Sequence, residues 1–573
     1  MKRKIASLLK DTLDTLSAKG EFQGSTDVEL TRPRQEGHGD FAANVALTAA
    51  KAMKRAPRAL AEQIRAAMPK SRFIDRIEIA GPGFLNFFVS ADAWRGVVPE
   101  ILGQGDTYGY LPANGERVLL EFVSANPNGP LHVGHGRGAA YGDSLARLMT
   151  SAGYSVEREY YVNDAGRQMD ILALSVWARY MQAYGEPVVF PANGYRGEYV
   201  LGIAQHLKEG VGDSLVRPDK VLPPDDDIEA ATDARIAYLK TALGPLYDSL
   251  HGAGLEAMLA DIRKDLEEFG VHYDRWYSER SLVESGAIAR TLALLEAHGD
   301  LYEKDGARWF RATRYGDEKD RVVVRENAVP TYFASDIAYH FEKYERGYDH
   351  LINIWGADHH GYIPRVKGAM AALGRDPARL QILLVQFAIL YRGGQRAQMS
   401  TRSGDFVTLR ELREEVGNDA ARFFYVLRKS EQHMDFDLDL AKSRSNENPV
   451  FYVQYAHARI VSVFRQMQER GLAMAEPGAS DLGLLVADEE LALMRALSQY
   501  DEVIAEAAAA REPHQVAYYL RELASHLHAY YNAQAFLSVE DPLRQARLTL
   551  LLAVRQVLAN GLTVLGVSAP EAM

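Results

Sequence analysis

The chain has 573 residues, a formal net charge of −12 and no cysteine. Its length allows several domains, and its 47% hydrophobic and 25% charged residues are typical of globular proteins. The lack of cysteine excludes disulfides, thiolate zinc sites and cysteine nucleophiles. No segment has the apolar length of a signal peptide or a membrane span, so we expect a cytoplasmic protein without a membrane partner. The acidic charge argues only weakly against RNA binding, because an acidic protein can carry local arginine-rich surfaces.

The first 110 residues predict an α+β module. Helical periodicity extends over residues 5–16 and 41–53, and residues 74–90 have the pattern of strands. A glycine turn precedes the second helix, and Asp40 is placed to cap its first turn. Nothing in this segment indicates catalysis.

Residues 117–164 predict a βαβ unit around which the rest of the chain is organised. An apolar run indicates a buried strand, a turn-forming cluster at 126–130 ends it, and a helix then extends from His132 to Gly153. A helix N-terminus beyond the carboxyl end of a parallel strand offers free N–H groups and partial positive charge, which suit a phosphate. His132 and His135 could both face that anion.

The residues at the start of this helix also allow a second interpretation, a dinucleotide-binding site. Gly134 and Gly136 permit close approach of the backbone to a flat ligand, and with Ala139 they fit the dinucleotide-binding fingerprint. Glu157 or Glu159 on the next strand would then bind a ribose. The fingerprint should follow its strand in a tight turn, whereas here a longer turn intervenes. A dinucleotide-dependent oxidoreductase therefore stays as an alternative.

Residues 165–325 have a mostly helical pattern, which we interpret as an insertion between two halves of one sheet. The second half contains apolar strands at 351–355 and 380–391, separated by a helix. Strands that alternate with helices indicate a parallel sheet with helices on both faces, which binds ligands at the carboxyl ends of its strands. A polar loop follows at 392–405, and the pattern is helical from 408 almost to the end.

The loop after the strand at 351–355 contains Asp358, His359 and His360. These side chains could bind a metal, but consecutive residues seldom face one ion and no thiolate is available. We therefore predict a polar ligand-binding loop at this position and no metal site.

Three segments carry a resemblance to a known family. They are ANPNGPLHVGH at 125–135, QMSTRSG at 398–404 and the DxALR-like DAAR at 419–422. Together they make the chain resemble the class I aminoacyl-tRNA synthetases, and more narrowly the arginyl-tRNA synthetases of bacterial type, over essentially its whole length.

The resemblance implies an α/β fold. It implies a Rossmann-like parallel-sheet catalytic domain, an N-terminal α+β module and a C-terminal all-α helical bundle. The expected boundaries are a tRNA-binding module at 1–110, a class I catalytic domain at 111–405 with a helical insertion at about 165–325, and an anticodon-binding domain at 406–573.

The family's reaction is the ATP-dependent ligation of L-arginine to tRNA(Arg) through an arginyl-adenylate, which releases AMP and pyrophosphate. An ionised carboxylate needs no protein nucleophile, so catalysis depends on positioning and charge stabilisation, with Mg²⁺ bridging the phosphate oxygens. The resemblance implies catalytic roles for His132, His135, Ser400 and Arg402. It implies an ATP site formed by Pro130, His132, Gly134, His135, Met399, Ser400, Thr401 and Arg402.

Arginine recognition requires carboxylates, because a guanidinium is permanently charged and presents a planar fork of donors. Tyr332 and Asp336 are four residues apart and therefore share one helix face. The family pattern places arginine contacts at Glu121, Asn126, His135, Tyr332, Asp336 and His359.

The second signature departs from the family pattern. Gln398 and Thr401 replace both lysines of the KMSKS loop. Another cation must therefore neutralise the pyrophosphate. Arg402 is the first candidate, followed by Arg396 and Arg137.

The resemblance places Tyr452, Tyr455 and Arg459, which share one helix face, against the anticodon loop. Arginine stacks on bases and also binds phosphates, which suits recognition of a single-stranded loop. The alternative for the tyrosines is a half-buried stripe in a helix bundle. We expect a monomer. The other functions left open are a class I synthetase for another amino acid and a non-catalytic RNA-binding relative.

Overall fold

A computed structural model describes residues 1–33, 37–218, 227–397 and 407–573. The second signature loop lies outside the described residues, and with it lie the predictions for Met399, Ser400, Thr401 and Arg402. Among the helices in the described ranges, none combines the length and the apolar composition needed to cross a membrane.

The N-terminal module consists of α1 (Lys2–Ala18), β1 (Phe41–Ala43), α2 (Val45–Met53), α3 (Pro57–Ala67), β2 (Ile74–Ala80) and β3 (Phe84–Val89). Its strands form an antiparallel sheet of order β1-β3-β2. The second helix was predicted to begin at residue 41. This prediction was wrong, because residues 41–43 form β1 and the helix begins at Val45. Gly39 has a φ of +82°, and a Cβ there would lie 2.7 Å from the Phe87 carbonyl oxygen, so only glycine lets the chain pair with β3. Asp40 accepts a hydrogen bond from the Val89 N–H (2.8 Å) and joins the sheet instead of capping a helix.

The central domain begins with two short helices. Its first part consists of α4 (Ala91–Arg95), α5 (Val97–Gln104), β4 (Arg117–Glu121), α6 (Val133–Ser151), β5 (Ser155–Val162), α7 (Arg167–Ala183), α8 (Glu198–Val211), α9 (Ile228–Leu243), α10 (Leu246–Glu268), β6 (Arg275–Ser278), α11 (Arg280–Glu284), α12 (Ala287–Ala297), β7 (Leu301–Lys304), β8 (Ala307–Phe310) and β9 (Arg321–Val324). Its second part consists of α13 (Tyr332–Glu345), β10 (His350–Gly356), α14 (Ile363–Ala372), β11 (Leu380–Val385), β12 (Ala388–Arg392) and β13 (Gln395–Arg396).

The C-terminal domain is mainly helical. It consists of α15 (Leu409–Val416), α16 (Asn418–Val426), β14 (Met434–Asp437), α17 (Leu438–Lys442), α18 (Pro449–Glu469), α19 (Asp488–Leu497), α20 (Tyr500–Ala510), α21 (His514–Ala533) and α22 (Asp541–Val564).

A five-stranded parallel sheet of order β11-β10-β4-β5-β6 joins the two halves of the central domain, as the alternating pattern predicted. The halves meet where β10 pairs with β4, with Ile352 opposite Leu120. Strand β4 is buried from Val118 to Glu121, as expected of a parallel strand that is covered on both faces. The carboxyl ends of these strands lie along one edge of the sheet.

Three details of the predicted pattern were wrong. Within 165–325, β6 joins the parallel sheet, and β7, β8 and β9 form a separate antiparallel sheet. Residues 380–391 form two strands in different sheets, because the chain breaks at Gln386, whose carbonyl oxygen accepts a hydrogen bond from Arg137 (2.7 Å). Strand β14 interrupts the helical C-terminal pattern and pairs with β12. Such short strands depend on partners that are distant in sequence, so local patterns do not reveal them.

A buried ion pair joins the central and C-terminal domains. Arg422 on α16 donates to Asp143 on α6 at 2.5 Å, and both side chains are fully buried. Arg422 also donates to the carbonyl oxygens of Phe269 (2.9 Å) and Leu565 (3.3 Å). Arg147 binds the same oxygen of Asp143 (2.7 Å). These contacts fix α6 against the C-terminal domain.

Candidate active site

The two predicted histidines lie at the first turn of α6. His132 is the N-cap residue, and its Nδ1 accepts hydrogen bonds from the N–H groups of Gly134 (3.1 Å) and His135 (3.3 Å). His135 Nδ1 accepts in return from the His132 N–H (3.3 Å). The two rings stack with their centroids 3.6 Å apart. The pair therefore forms a capping box that is built from imidazoles.

Both imidazoles are neutral near pH 7. Burial lowers the pKa of His132, and burial together with the neighbouring His132 lowers the pKa of His135 to about 3. Because Nδ1 accepts a hydrogen bond in each ring, the hydrogen-bond pattern assigns the proton to Nε2. The first turn of α6 therefore offers two uncharged Nε2–H donors beside the positive end of a helix dipole, an arrangement that suits a phosphate.

The two glycines of the motif have different roles. A Cβ on Gly134 would lie 2.9 Å from the His132 ring, so a side chain there would displace the histidine. A Cβ on Gly136 would lie 2.7 Å from the Leu409 side chain and 3.1 Å from Tyr425. The expectation that Gly136 permits approach of a ligand was therefore wrong, since this glycine allows α6 to pack inside the protein.

The insertion holds the turn that leads into α6. The Asn128 side chain donates to the Tyr195 hydroxyl (2.9 Å) and to Gln168, and the Tyr199 hydroxyl donates to the Asn128 carbonyl oxygen (2.7 Å). Pro130 is half-buried in the same turn. Sequence reasoning missed these contacts, because no spacing relates the three insertion residues to the turn.

The predicted pair Tyr332 and Asp336 lies one turn apart on α13. The half-buried Asp336 carboxylate accepts a hydrogen bond from the Tyr362 hydroxyl. Burial raises the pKa of Asp336 to about 6, an effect that Tyr362 opposes and the Glu121 carboxylate reinforces. Tyr332 is 51% exposed, and its hydroxyl accepts from the Arg167 N–H (3.2 Å). A carboxylate next to an exposed aromatic ring suits a guanidinium and its apolar stem.

Glu121 is buried at the carboxyl end of β4 and already has a cationic partner. Its carboxylate accepts hydrogen bonds from Lys343, from the Tyr339 hydroxyl (3.2 Å) and from the Ser124 hydroxyl (3.0 Å). Lys343 is fully buried, so the two charges balance each other inside the protein. Asp336 therefore carries the less compensated charge of the two predicted carboxylates.

Asn126 and His359 are exposed at the ends of two neighbouring strands. Asn126 follows β4, and its side-chain oxygen accepts from the Asn163 amide (3.1 Å). His359 follows β10, and its Nε2 lies 3.6 Å from the Asp358 carboxylate. Because β4 and β10 pair in parallel, both side chains belong to the same edge of the sheet as the histidines.

Glu279 is a buried carboxylate that sequence reasoning missed. It follows the carboxyl end of β6, is 4% exposed, and lines a cavity of about 880 Å³ together with Tyr332. Burial, reinforced by Asp336 and Asp164, raises the pKa of Glu279 to about 7. Its Oε2 has no hydrogen-bond partner within the described part of the chain. If the strand at 275–278 had been predicted, Glu279 would have been recognised as a residue at its carboxyl end. A four-residue edge strand is too short to give a recognisable hydrophobic pattern.

The two glutamates proposed as ribose ligands of a dinucleotide are engaged elsewhere. Glu157 pairs with Arg275 (2.8 Å) and accepts from the Tyr348 hydroxyl. Glu159 accepts two hydrogen bonds from the Arg346 guanidinium. Guanidinium groups thus neutralise both carboxylates, and the dinucleotide interpretation loses its ribose ligand.

Comparison with known proteins gives one consistent family. The model of the arginyl tRNA synthetase N terminal domain matches residues 3–89, that of the tRNA synthetases class I (R) catalytic domain matches 97–186 and 262–442, and that of the DALR anticodon binding domain matches 453–573. The arginine–tRNA ligase of Hydrogenovibrio crunogenus is 56% identical over 594 residues, with 100% of both chains covered. The chain belongs to the arginyl-tRNA synthetase family.

Other members of the family agree in sequence and in fold. The arginine–tRNA ligase of Acidithiobacillus ferrooxidans is 56% identical over 583 residues, again with 100% of both chains covered. The structure of Thermus thermophilus arginyl-tRNA synthetase has a TM-score of 0.75 at 24% identity and 100% coverage of both chains, so it has the same fold.

In this member of the arginyl-tRNA synthetase family, Arg137 is not free to replace the missing lysines. Its buried guanidinium donates to the carbonyl oxygens of Gln386 (2.7 Å), Lys429 (2.9 Å) and Gln432 (2.8 Å). Arg137 therefore joins chain segments inside the protein. Arg396 is exposed on β13, two residues before the signature motif in sequence, and its predicted role stays a prediction.

The described residues do not form a cage for Mg²⁺. They contain no group of three or more His, Asp or Glu side chains that could hold a metal ion. Proteins commonly bind Mg²⁺ through one or two carboxylates together with substrate phosphates.

The residues predicted to contact tRNA form one cluster between α18 and α21. The Arg459 guanidinium lies over the rings of Tyr455 (5.3 Å) and Tyr531 (3.8 Å). His528 contacts Tyr452 and Tyr455, with centroid distances of 4.7 and 5.8 Å. The three predicted residues are half-buried. The cluster has the chemistry of a base-stacking surface, and its packing also fits the alternative of a tyrosine stripe in the bundle.

Proposed function

We propose that this chain ligates L-arginine to tRNA(Arg) with consumption of ATP, through an arginyl-adenylate. One observation carries the proposal: two neutral imidazoles cap the helix that follows β4, and the Asp336 carboxylate accepts a hydrogen bond from Tyr362, which follows the neighbouring strand β10. The full-length relatives at 56% identity, which are named arginine–tRNA ligases, support it.

The ATP half of the site acts by charge stabilisation. The carboxylate of arginine attacks the α-phosphorus of ATP, the bond to the bridging oxygen breaks, and pyrophosphate leaves with the electron pair. His132 and His135 donate from Nε2 to the phosphate oxygens as negative charge develops, and the N-terminus of α6 adds its partial positive charge. Mg²⁺ enters with ATP as part of the substrate, where it neutralises the polyphosphate. Further ATP contacts are assigned to Pro130, Gly134, Met399, Ser400, Thr401 and Arg402.

The amino-acid half of the site selects a cation. Asp336 pairs with the guanidinium, and the bound cation favours the ionised carboxylate. The Tyr332 ring covers the apolar stem of the substrate. Further arginine contacts are assigned to Glu121, Asn126, His135 and His359. The arginine carboxylate then points towards the histidines at the same edge of the sheet.

The tRNA would contact both ends of the chain. We assign residues 1–110 to a tRNA-binding module, 111–405 to the catalytic domain with its insertion at about 165–325, and 406–573 to the anticodon-binding domain. The three family-model matches support the order of the three domains, with the catalytic match extending to residue 442. Tyr452, Tyr455 and Arg459 are assigned to the anticodon loop. The protein is expected to act as a monomer in the cytoplasm.

The test is pyrophosphate release with ATP, total tRNA and either arginine or citrulline. Citrulline has the shape of arginine without its charge, so kcat/KM should fall by about 10⁴-fold, as at other sites built around hydrogen bonds. Asp336→Asn should raise the KM for arginine by about tenfold or more and leave the KM for ATP nearly unchanged. Asp435→Asn, which removes an exposed acid on β14, is the control and should change neither constant. Equal use of both amino acids would contradict the proposal.

A further inference from the structure

The first turn of α7 contacts both halves of the proposed site. On the arginine side, the Arg167 N–H donates to the Tyr332 hydroxyl (3.2 Å). On the ATP side, the next residue, Gln168, accepts hydrogen bonds from the Asn128 side chain and from the Tyr195 hydroxyl (3.3 Å). Two adjacent residues of one helix thus connect the two substrate sites.

This turn is held firmly in place. The Arg167 guanidinium pairs with Glu229 (2.6 Å) and Asp233 (2.6 Å) on α9. Gly166 precedes the helix, and a Cβ there would lie 2.8 Å from the side-chain oxygen of Asn163. Because Arg167 and Gln168 are consecutive residues in the first turn of α7, a shift at Arg167 would also move Gln168.

We propose that Gln168 is a positioning residue that couples arginine binding to ATP binding, an inference that rests on the proposed function. When the side chain of the substrate arginine packs on Tyr332, it restrains the tyrosine hydroxyl. The hydroxyl in turn restrains the start of α7. Gln168 then restrains Asn128, in the turn that leads to His132. Each substrate therefore raises the affinity for the other by the same factor, as thermodynamic linkage requires.

Gln168 offers a clean substitution. Its side chain is exposed, and within the described part of the chain its amide makes hydrogen bonds only through the oxygen. Glutamate keeps an acceptor at this position, whereas alanine removes it. Both residues are tolerated in an exposed first turn of a helix. If coupling is lost in Gln168→Ala and retained in Gln168→Glu, the hydrogen-bond acceptor at position 168 is responsible for the coupling.

The experiment measures the Kd for α,β-methylene-ATP, with tRNA present, in the absence and presence of saturating arginine. For the unmodified chain we expect arginine to tighten nucleotide binding by about fivefold or more, within the usual range for coupled sites. Gln168→Ala should reduce this factor to less than about twofold, with little change in the Kd for arginine alone, and Gln168→Glu should retain it. Tyr195→Phe, which removes the hydroxyl shared by Asn128 and Gln168, should also reduce the factor.

The matched control lies at the other end of the same helix. Gln182 is exposed and accepts from Arg179 (2.9 Å), so Gln182→Ala should leave the factor unchanged. A factor of one for the unmodified chain, or an unchanged factor in Gln168→Ala, would overturn the inference. Failure of the unmodified chain to bind arginine or the nucleotide would instead contradict the proposed function.

Discussion

The Tyr362 hydroxyl donates a hydrogen bond to the Asp336 carboxylate, so a residue that follows β10 influences the ionisation of a carboxylate on α13. Burial raises the pKa of Asp336 to about 6, and this hydrogen bond opposes the rise. Without it, the carboxyl group would keep its proton to a higher pH and would attract a guanidinium less strongly.

Tyr362→Phe should therefore weaken arginine binding. A hydrogen bond to a charged group contributes about 1.5–3 kcal/mol, so we expect the KM for arginine at pH 7 to rise by about tenfold or more. The KM for ATP should stay nearly constant. Raising the pH to about 8.5 should restore part of the affinity, because the carboxyl group ionises again. A defect that does not depend on pH would indicate that Tyr362 acts through packing alone.

The unmodified chain should show the same titration in its pH profile. Below about pH 6 the Asp336 carboxyl group is protonated and neutral, so kcat/KM for arginine should fall by about tenfold per pH unit. Burial lowers the pKa of His132, and the pKa of His135 is lowered to about 3, so His135 remains neutral over this range. Asp336→Asn should remove this acid limb. If the limb survives, Glu279, whose pKa is about 7, becomes the group that titrates.

Arg459→Gln should weaken the use of tRNA without affecting the small substrates. The substitution removes the guanidinium that lies over Tyr455 and Tyr531, and the loss of stacking and charge should raise the KM for tRNA by about tenfold. Arg465 on the same helix is 64% exposed, and Arg465→Gln is the matched control. Equal constants for tRNA in the two variants would favour a purely structural role for the cluster.

Asp143→Asn should destabilise the junction between the central and C-terminal domains. It would leave the buried Arg422 without its anionic partner, a change that typically costs about 3–5 kcal/mol. We expect the midpoint of thermal unfolding to fall by several degrees. The control is Asp92→Asn, which removes an ion pair with Arg95. Because Asp92 is 85% exposed, this substitution should lower the free energy of unfolding by at most about 1 kcal/mol. Similar midpoints for the two variants would contradict a structural role for the buried pair.

The parts of the fold that local patterns specify were predictable from the sequence. The apolar run of β4, the turn-forming cluster and the glycine after α6 determine the βαβ unit by themselves, and His132 lies at the start of its helix as predicted. The edge strand β6 was not predicted, because so short a strand is defined by its pairing with β5. Glu279 was missed with it.

The ionisation and the support of the site depend on tertiary contacts. The family resemblance identified Tyr332 and Asp336, and their spacing supported the pair. Neither could show that Tyr362 contacts Asp336 or that Lys343 neutralises Glu121. These partners come from other segments of the chain and have no motif of their own. Local sequence therefore indicates which side chains are present, and only the fold shows which of their charges are compensated.

The most direct test of the central claim is aminoacylation of total tRNA by the purified chain, with ATP and each labelled amino acid supplied in turn. We predict that arginine alone becomes attached to tRNA, because in the proposed site the Asp336 carboxylate would pair with the guanidinium and the two histidines would bind the phosphates. Charging with a different amino acid, or with none, would contradict the account.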